Sequence, residues 1–208
     1  MEFDYTTFNR LLVRAEEVAS EPDANASVKR VYNDRLHEPA MVFRTAHIEL
    51  GSAETKAKKE GGEGRTALAA IDSPYRVTRA AALSYVPSLT LPTTLKQQPT
   101  DTDKMIAIRS LLRELDARDE AEPWAAAELA GEFGRLAPDT IREIEEWIQA
   151  NKDLQHARDA RVSATGLAYE RFIAFKDVVR QAYGSKSRQY KRIHLRSAAE
   201  EPQPEPTP

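Results

Sequence analysis

The chain has 208 residues, 41% of them hydrophobic and 30% charged, and 30 Lys and Arg stand against 33 Asp and Glu for a net charge of −3. The apolar share is enough for a packed core, and the near balance of charge excludes a global attraction to nucleic acid or to an acidic membrane. Cysteine is absent, which excludes a disulfide scaffold, a thiolate metal site and a cysteine nucleophile.

No stretch approaches the length of a membrane-spanning helix, and the opening residues lack the basic-then-apolar pattern of a secretory signal. A cytoplasmic protein with no membrane contact is the expectation.

Helix formers dominate: Ala, Leu, Arg, Glu and Lys lose least on entering a helix. The first helix is expected over about 4–19, where Phe8, Leu11, Leu12, Ala15 and Val18 share one face. Glu21-Pro22-Asp23 breaks it, and Asn25 or Ser27 caps a second helix with Val28, Val31, Tyr32 and Leu36 on its apolar side. Pro39 marks a kink or a new first turn. The apolar pattern then resumes with Val42, Phe43, Ala46, Ile48 and Leu50. Gly61-Gly62-Glu63-Gly64 reads as a hairpin tip or a weak spot in a solvent-facing helix.

Asp72-Ser73-Pro74 is a helix start signal, and that helix would carry Val77, Ala80, Ala81 and Leu83. The stretch 83–91 is the best strand candidate, but Pro87 and Pro92 make it an extended connection. Thr100 to Asp103 opens a further helix with Met105, Ile108, Leu111, Leu112 and Leu115 as its stripe. The charged run 116–122 reads as a hinge at the midpoint of the chain, followed by a short helix over 124–133. Pro138-Asp139-Thr140 begins the longest helix, which Gly184 stops after Tyr183. Its seam is thin from Gln149 to Arg161. The basic segment 185–196 is expected to be short and extended, or a turn. Residues 198–208 are an acidic, Pro-rich tail expected to be disordered.

The fold class expected from this pattern is all-α, an antiparallel helical bundle with one or more long helices. One domain, 1–197, should close around one core drawn from Phe8, Leu12, Val31, Phe43, Ile108, Leu112, Ile144, Ile148, Phe172 and Val179.

From Trp124 onward a resemblance enters. Leu136-Ala137-Pro138, Asn151, Ala157-Arg158, Arg161 and Val178-Val179 lead to Tyr183-Gly184-Ser185-x-Ser187-x-Gln189-Tyr190-Lys191-x-Ile193. This resembles a set of uncharacterised small bacterial helical proteins that end, after a long helix, in an aromatic-Gly-x-x-Ser-x-Gln-Tyr segment. The likeness extends more loosely over 75–115. It implies a bacterial helical bundle and brings no activity and no chemistry.

The residues offer little chemistry of their own. Asp34 with His37, and Asp153 with His156, repeat an Asp-x-x-His spacing that puts two metal ligands on one helix face. Glu16, Glu17, Glu49, Glu143 and Glu145 are carboxylates that can complete such a site. Against it stands the plain reading of solvated faces with incidental histidines, and no metal or other cofactor is assigned. Gly62-x-Gly64-x-x-Ala67 matches a dinucleotide fingerprint only on paper, since a lysine-rich stretch and not a strand precedes it. No P-loop and no Gly-x-Ser-x-Gly elbow occurs, so no catalytic residue is named.

Lys186, Arg188, Tyr190, Lys191, Arg192 and Arg196 form a basic cluster with an interleaved aromatic, a pattern that can touch phosphates and stack a base. Docking of the chain end through Tyr190, Ile193 and Leu195 explains the same residues and is preferred. The functional expectation is a non-enzymatic structural or protein-interaction bundle acting through self-association or a protein partner. A carboxylate/histidine metal-binding bundle is the alternative, with weak nucleic-acid binding through 186–196 behind it.

Overall fold

The structure is a computed structural model that describes residues 4–194. The acidic tail, Leu195 and Arg196 lie outside the described residues. Among those described there is no strand, and the fold class is all-α as expected.

Helix α1 (Tyr5–Ser20) starts where a local cap makes it start: the Asp4 side chain accepts the Thr7 N–H at 2.9 Å. The five residues expected on its apolar face are all buried. Asn25 caps α2 (Ala26–Val31) by accepting the Ser27 N–H, and its own N–H donates to the Tyr183 hydroxyl. A π-helical turn (Tyr32–Leu36) leads directly into α3 (His37–Tyr85). The proline ring of Pro39 would strike the carbonyl four residues back, at Arg35 in a regular helix. The widened turn lies at that point.

A connection with one 3₁₀ turn (Leu95–Gln97) joins α3 to α4 (Asp101–Asp116). Thr100 and Asp103 begin α4 with a reciprocal capping box. Then follow α5 (Pro123–Ala130), α6 (Glu132–Tyr183) and α7 (Arg188–Ile193). Gly184 ends α6 at φ +88°, a conformation open to glycine without strain.

The described residues fall into two compact units. Unit 1 comprises residues up to Gly51 and from Ala157 on; unit 2 is 52–156. Each has its own core, where the sequence leads one to expect a single one. In unit 1, Phe8 lies at its centre, with edge-to-face contacts to Phe43 at 5.0 Å and Phe172 at 5.7 Å. In unit 2, Ile71, Tyr75, Ile108, Leu111, Leu115, Phe133 and Ile144 are packed together. The division falls at 51/52 in α3 and 156/157 in α6, where both helices run through polar sequence. It does not fall at 116–122, which is a turn inside unit 2.

Several local expectations are overturned by packing. Pro74 and Pro138 lie inside α3 and α6 and start neither. Proline removes one backbone bond. Fully buried Ile71 and Tyr75 flank the first gap, and Phe133, Ala137 and Ile144 hold the second stretch in its core, so the helices continue. Of the two readings of Gly61 to Gly64, the hairpin tip is excluded and the helix holds. The segment 188–193 is a helix rather than extended chain. Val77, taken from the pattern as inward, is 66% exposed. Of the ten expected core residues, Val31, Leu112 and Ile148 are only partly buried and pack against the two cores, while the other seven are buried.

Burial pushes the hydroxyls of Tyr32 and Tyr75 up to about 12, with the charge of Glu16 adding to the effect at Tyr32. Tyr75 needs its proton, since its hydroxyl donates to the Pro92 carbonyl at 2.9 Å. A tyrosine that ionises later when folded adds stability in full below its unfolded value near 10 and loses it as pH climbs to about 12. Urea midpoints are therefore expected to fall steeply between pH 10 and 12, and Tyr75→Phe is expected to flatten that fall.

Candidate functional site

The two Asp-x-x-His pairs do not build a buried site. In unit 1, Asp34 and His37 are both exposed, and the His37 ring meets the edge of Tyr32 at 5.8 Å. In unit 2, His156 is exposed, and Asp153 accepts from Gln149 at 2.7 Å and from Lys56 at 3.3 Å. Those two bonds, the first above all, hold the Asp153 carboxyl below its ordinary value. Of the carboxylates named with them, Glu16 pairs with Arg44 at 2.8 Å, Glu17 with Arg192, and Glu145 with Arg109, while Glu49 is exposed.

The basic cluster is partly absorbed by the fold. Ser187 caps α7, and Ile193 is buried in the unit 1 core. The Arg192 guanidinium forks across α1, one arm on Glu21 at 2.7 Å and the other on Glu17. Gln189 adds a 3.2 Å bond to Glu21. Tyr190 is half-buried against the core and stacked on His194 at 5.3 Å. Lys186, Arg188 and Lys191 remain exposed. The segment 188–193 is docked, as the Tyr190 and Ile193 spacing suggests, while Leu195 lies outside the described residues.

Two arrangements in the structure carry more. The first lies in unit 2, where α3 and α6 meet at the glycine run. The Trp147 indole occupies the space that side chains at 61 and 64 would need. A Cβ built on Gly61 would lie 3.0 Å from the indole nitrogen, and one on Gly64 2.9 Å from Cε3. Arg65 lies over the same ring, 5.6 Å from its centre. This close approach brings Glu60 of α3 to Glu143 and Glu146 of α6, one carboxylate oxygen of each within 4.8 Å of the others. Glu143 and Glu146 are three apart, on one face of their helix.

Glu60 is only 8% exposed, and its Oε2 has no hydrogen-bond partner. Its Oε1 accepts a long 3.3 Å bond from Lys59, which also pairs with Glu63 at 3.0 Å. Arg142 reaches Glu143 at 2.9 Å and Glu146 at 3.5 Å. The acids hold both cations in their charged forms. Lys59 is raised chiefly by its hydrogen bond to Glu63, and Arg142 chiefly by the charge of Glu143. Among the described residues this is the group of three or more acids and histidines with the reach to hold a metal ion. Sequence reading named Glu143 and missed Glu60 and Glu146. The available signal was a pair of glycines at i, i+3 in a helix, a mark of close backbone approach.

The second arrangement is the outward face of α3 in unit 1. Ala40, Phe43, Ala46 and Leu50 point into the core. Met41, Val42 and Ile48 point out, with Val42 54% and Ile48 67% exposed. A helix at a protein surface ordinarily turns charge to the solvent. Here three large apolar side chains stand on the outward side, among Glu38, Thr45 and Glu49. Val162 and Leu167 of α6 are also exposed in this unit.

In comparisons with known proteins, no family model, no curated protein and no solved structure matches the chain.

The glycine step yields opposite outcomes for neighbouring positions. Gly64→Ala is expected to lower stability by about 1–3 kcal/mol, since the new methyl must displace the indole. Gly62→Ala meets nothing within 4 Å and is expected to raise stability by about 0.5–1 kcal/mol through helix propensity. Urea unfolding of the two variants checks both signs.

Proposed function

We propose that the chain is a non-enzymatic helical interaction protein that works by associating with a second copy of itself or with a protein partner. The supporting observation is the outward face of α3 around Met41, Val42 and Ile48. Large apolar side chains grouped on a solvent-facing helix favour a covering surface. Two copies offering the same stripe would bury it symmetrically, the usual form of a homodimer contact.

A second reading has its own observation. The trio Glu60, Glu143 and Glu146 offers only oxygen, which suits a hard divalent cation such as calcium, magnesium or manganese. Oxygens on opposite sides of such an ion stand about 4–5 Å apart, twice the metal–oxygen distance. The buried, unpartnered Oε2 of Glu60 supports this reading. Lys59 and Arg142 compete with the ion. The ligands differ from the Asp-x-x-His pairs of the metal alternative read from the sequence.

Sedimentation velocity is expected to show concentration-dependent association in the micromolar range. The double variant Met41→Glu, Val42→Glu should sediment as a monomer with unchanged helicity by circular dichroism. A wild-type chain that stays strictly monomeric, and retains no protein from lysate above a control column, would overturn the first reading.

The metal reading is tested with terbium, a calcium mimic whose emission an adjacent indole sensitises. Excitation of Trp147 is expected to give terbium luminescence that excess calcium quenches and that Glu60→Gln removes. Absence of calcium-sensitive emission from the wild-type chain excludes the site.

A further inference from the structure

Unit 2 contains a cleft of about 640 Å³ that belongs neither to the carboxylate trio nor to the apolar face of α3. One wall is a single face of α3, carrying Arg65, Asp72 and Arg76. Lys96 of the 3₁₀ turn, Lys104 in the first turn of α4 and Trp147 of α6 complete it. Its size matches a small-molecule site, about 300–1,000 Å³.

The cleft has three chemical zones. Its deepest polar group is Asp72, only 7% exposed. The Asp72 Oδ1 has no hydrogen-bond partner. Its Oδ2 lies 3.6 Å from Arg76 Nε and 4.0 Å from Lys96 Nζ, too far for a hydrogen bond to either. Oδ1 is closed off from solvent, so the oxygen left for a ligand N–H in the cleft is Oδ2, which no hydrogen bond occupies. Around it stand four cations, Arg65, Arg76, Lys96 and Lys104, against two carboxylates, Asp72 and Asp101. Asp101 is occupied by Lys104 at 2.8 Å. The balance at the rim is positive and favours an anion. Leu68, Leu95 and the Trp147 indole supply apolar surface between these zones.

We infer that this cleft binds a nucleoside phosphate, its base donating an N–H to Asp72 and lying against the apolar wall, its phosphates held by the rim cations. The three zones match the three parts of that ligand. A bare phosphate would use the rim and leave Asp72 unmet. An uncharged heterocycle would meet Asp72 and leave the cations without a counter-ion. Arginine and lysine serve differently at such a rim: the guanidiniums offer paired donors to phosphate oxygens, and the lysines offer point charge.

The test is titration calorimetry of the full chain with GDP, ADP and inorganic pyrophosphate. At least one of the two nucleotides is expected to bind about tenfold or more tightly than pyrophosphate. Asp72→Asn should erase that margin while leaving pyrophosphate binding in place. Lys96→Glu should weaken nucleotide and pyrophosphate together. The Lys96 side chain is 84% exposed, so this variant reports on binding even where a change at buried Asp72 disturbs the fold. Circular dichroism confirms that each variant is folded. Three results would overturn the inference: no binding of either nucleotide to the wild-type chain, pyrophosphate binding as tightly as the nucleotides, or nucleotide affinity unmoved by Lys96→Glu. The second of these would mean a polyanion patch with no base site.

Discussion

The contact between Trp147 and the Gly61–Gly64 step holds most of what is chemically distinctive in unit 2. Two glycines in a helix interior are unfavourable by about 1 kcal/mol each relative to alanine. The gain is a bare strip of backbone on which a whole indole can lie. Glu60 immediately precedes the strip and Arg65 immediately follows it. Glu143 and Glu146 precede the tryptophan by one turn and by one residue. A single close approach therefore sets the carboxylates of α3 and α6 beside one another, seats Arg65 over the ring, and makes the indole a wall of the cleft. A larger residue at either glycine would require the indole to shift, and the three arrangements that it joins would shift with it.

The other governing constraint is the loss of a continuous apolar seam in the two long helices. Helix α3 has 49 residues and α6 has 52, far beyond the ordinary three to four turns. Length of that order gains little from propensity alone, and each helix depends on what its apolar face meets. Both meet one core before the polar stretch and another after it. The same physics explains α7. Six residues do not sustain a helix by themselves, and α7 holds because Ser187 caps it, Ile193 is buried and Arg192 bridges Glu17 of α1 and Glu21 just past its end.

What was legible in the sequence is what local chemistry decides. Asp4, Asn25 and the Thr100–Asp103 pair are caps whose partners lie within three residues, and each begins a helix where expected. Gly184 ends α6 for an equally local reason. The misreadings share one cause. Pro74 and Pro138, like a glycine run, are breakers only while nothing beyond the helix holds it together. Ile71, Tyr75, Phe133 and Trp147 do hold it, through contacts with residues distant in sequence. The site was illegible for the same reason. Glu60 is one charge among many until the register of α3 against α6 is known. The Asp-x-x-His spacing puts two ligands on one helix face, but it says nothing about whether that face is buried.

Several buried and half-buried polar groups of unit 2 fall into two kinds. Tyr75 donates to Pro92, and Thr78 donates to Glu128 at 2.7 Å. Arg79 places two donors on the Leu91 carbonyl at 3.1 and 3.0 Å. These pairs tie α3 to the chain that follows it and to α5, and they are complete. Glu60 and Asp72 differ: each keeps a carboxylate oxygen out of solvent with no donor upon it. If their role were to hold helices together, they would share the geometry of the first kind. Structural ion pairs close at hydrogen-bond distance, yet Asp72 stands 3.6 Å from its nearest cation. An acid left in this state destabilises the fold by about 1–3 kcal/mol unless an ordered water or a ligand completes it. That asymmetry, taken with the cleft around Asp72 and the trio around Glu60, sets these two acids apart from the pairs that tie the helices together.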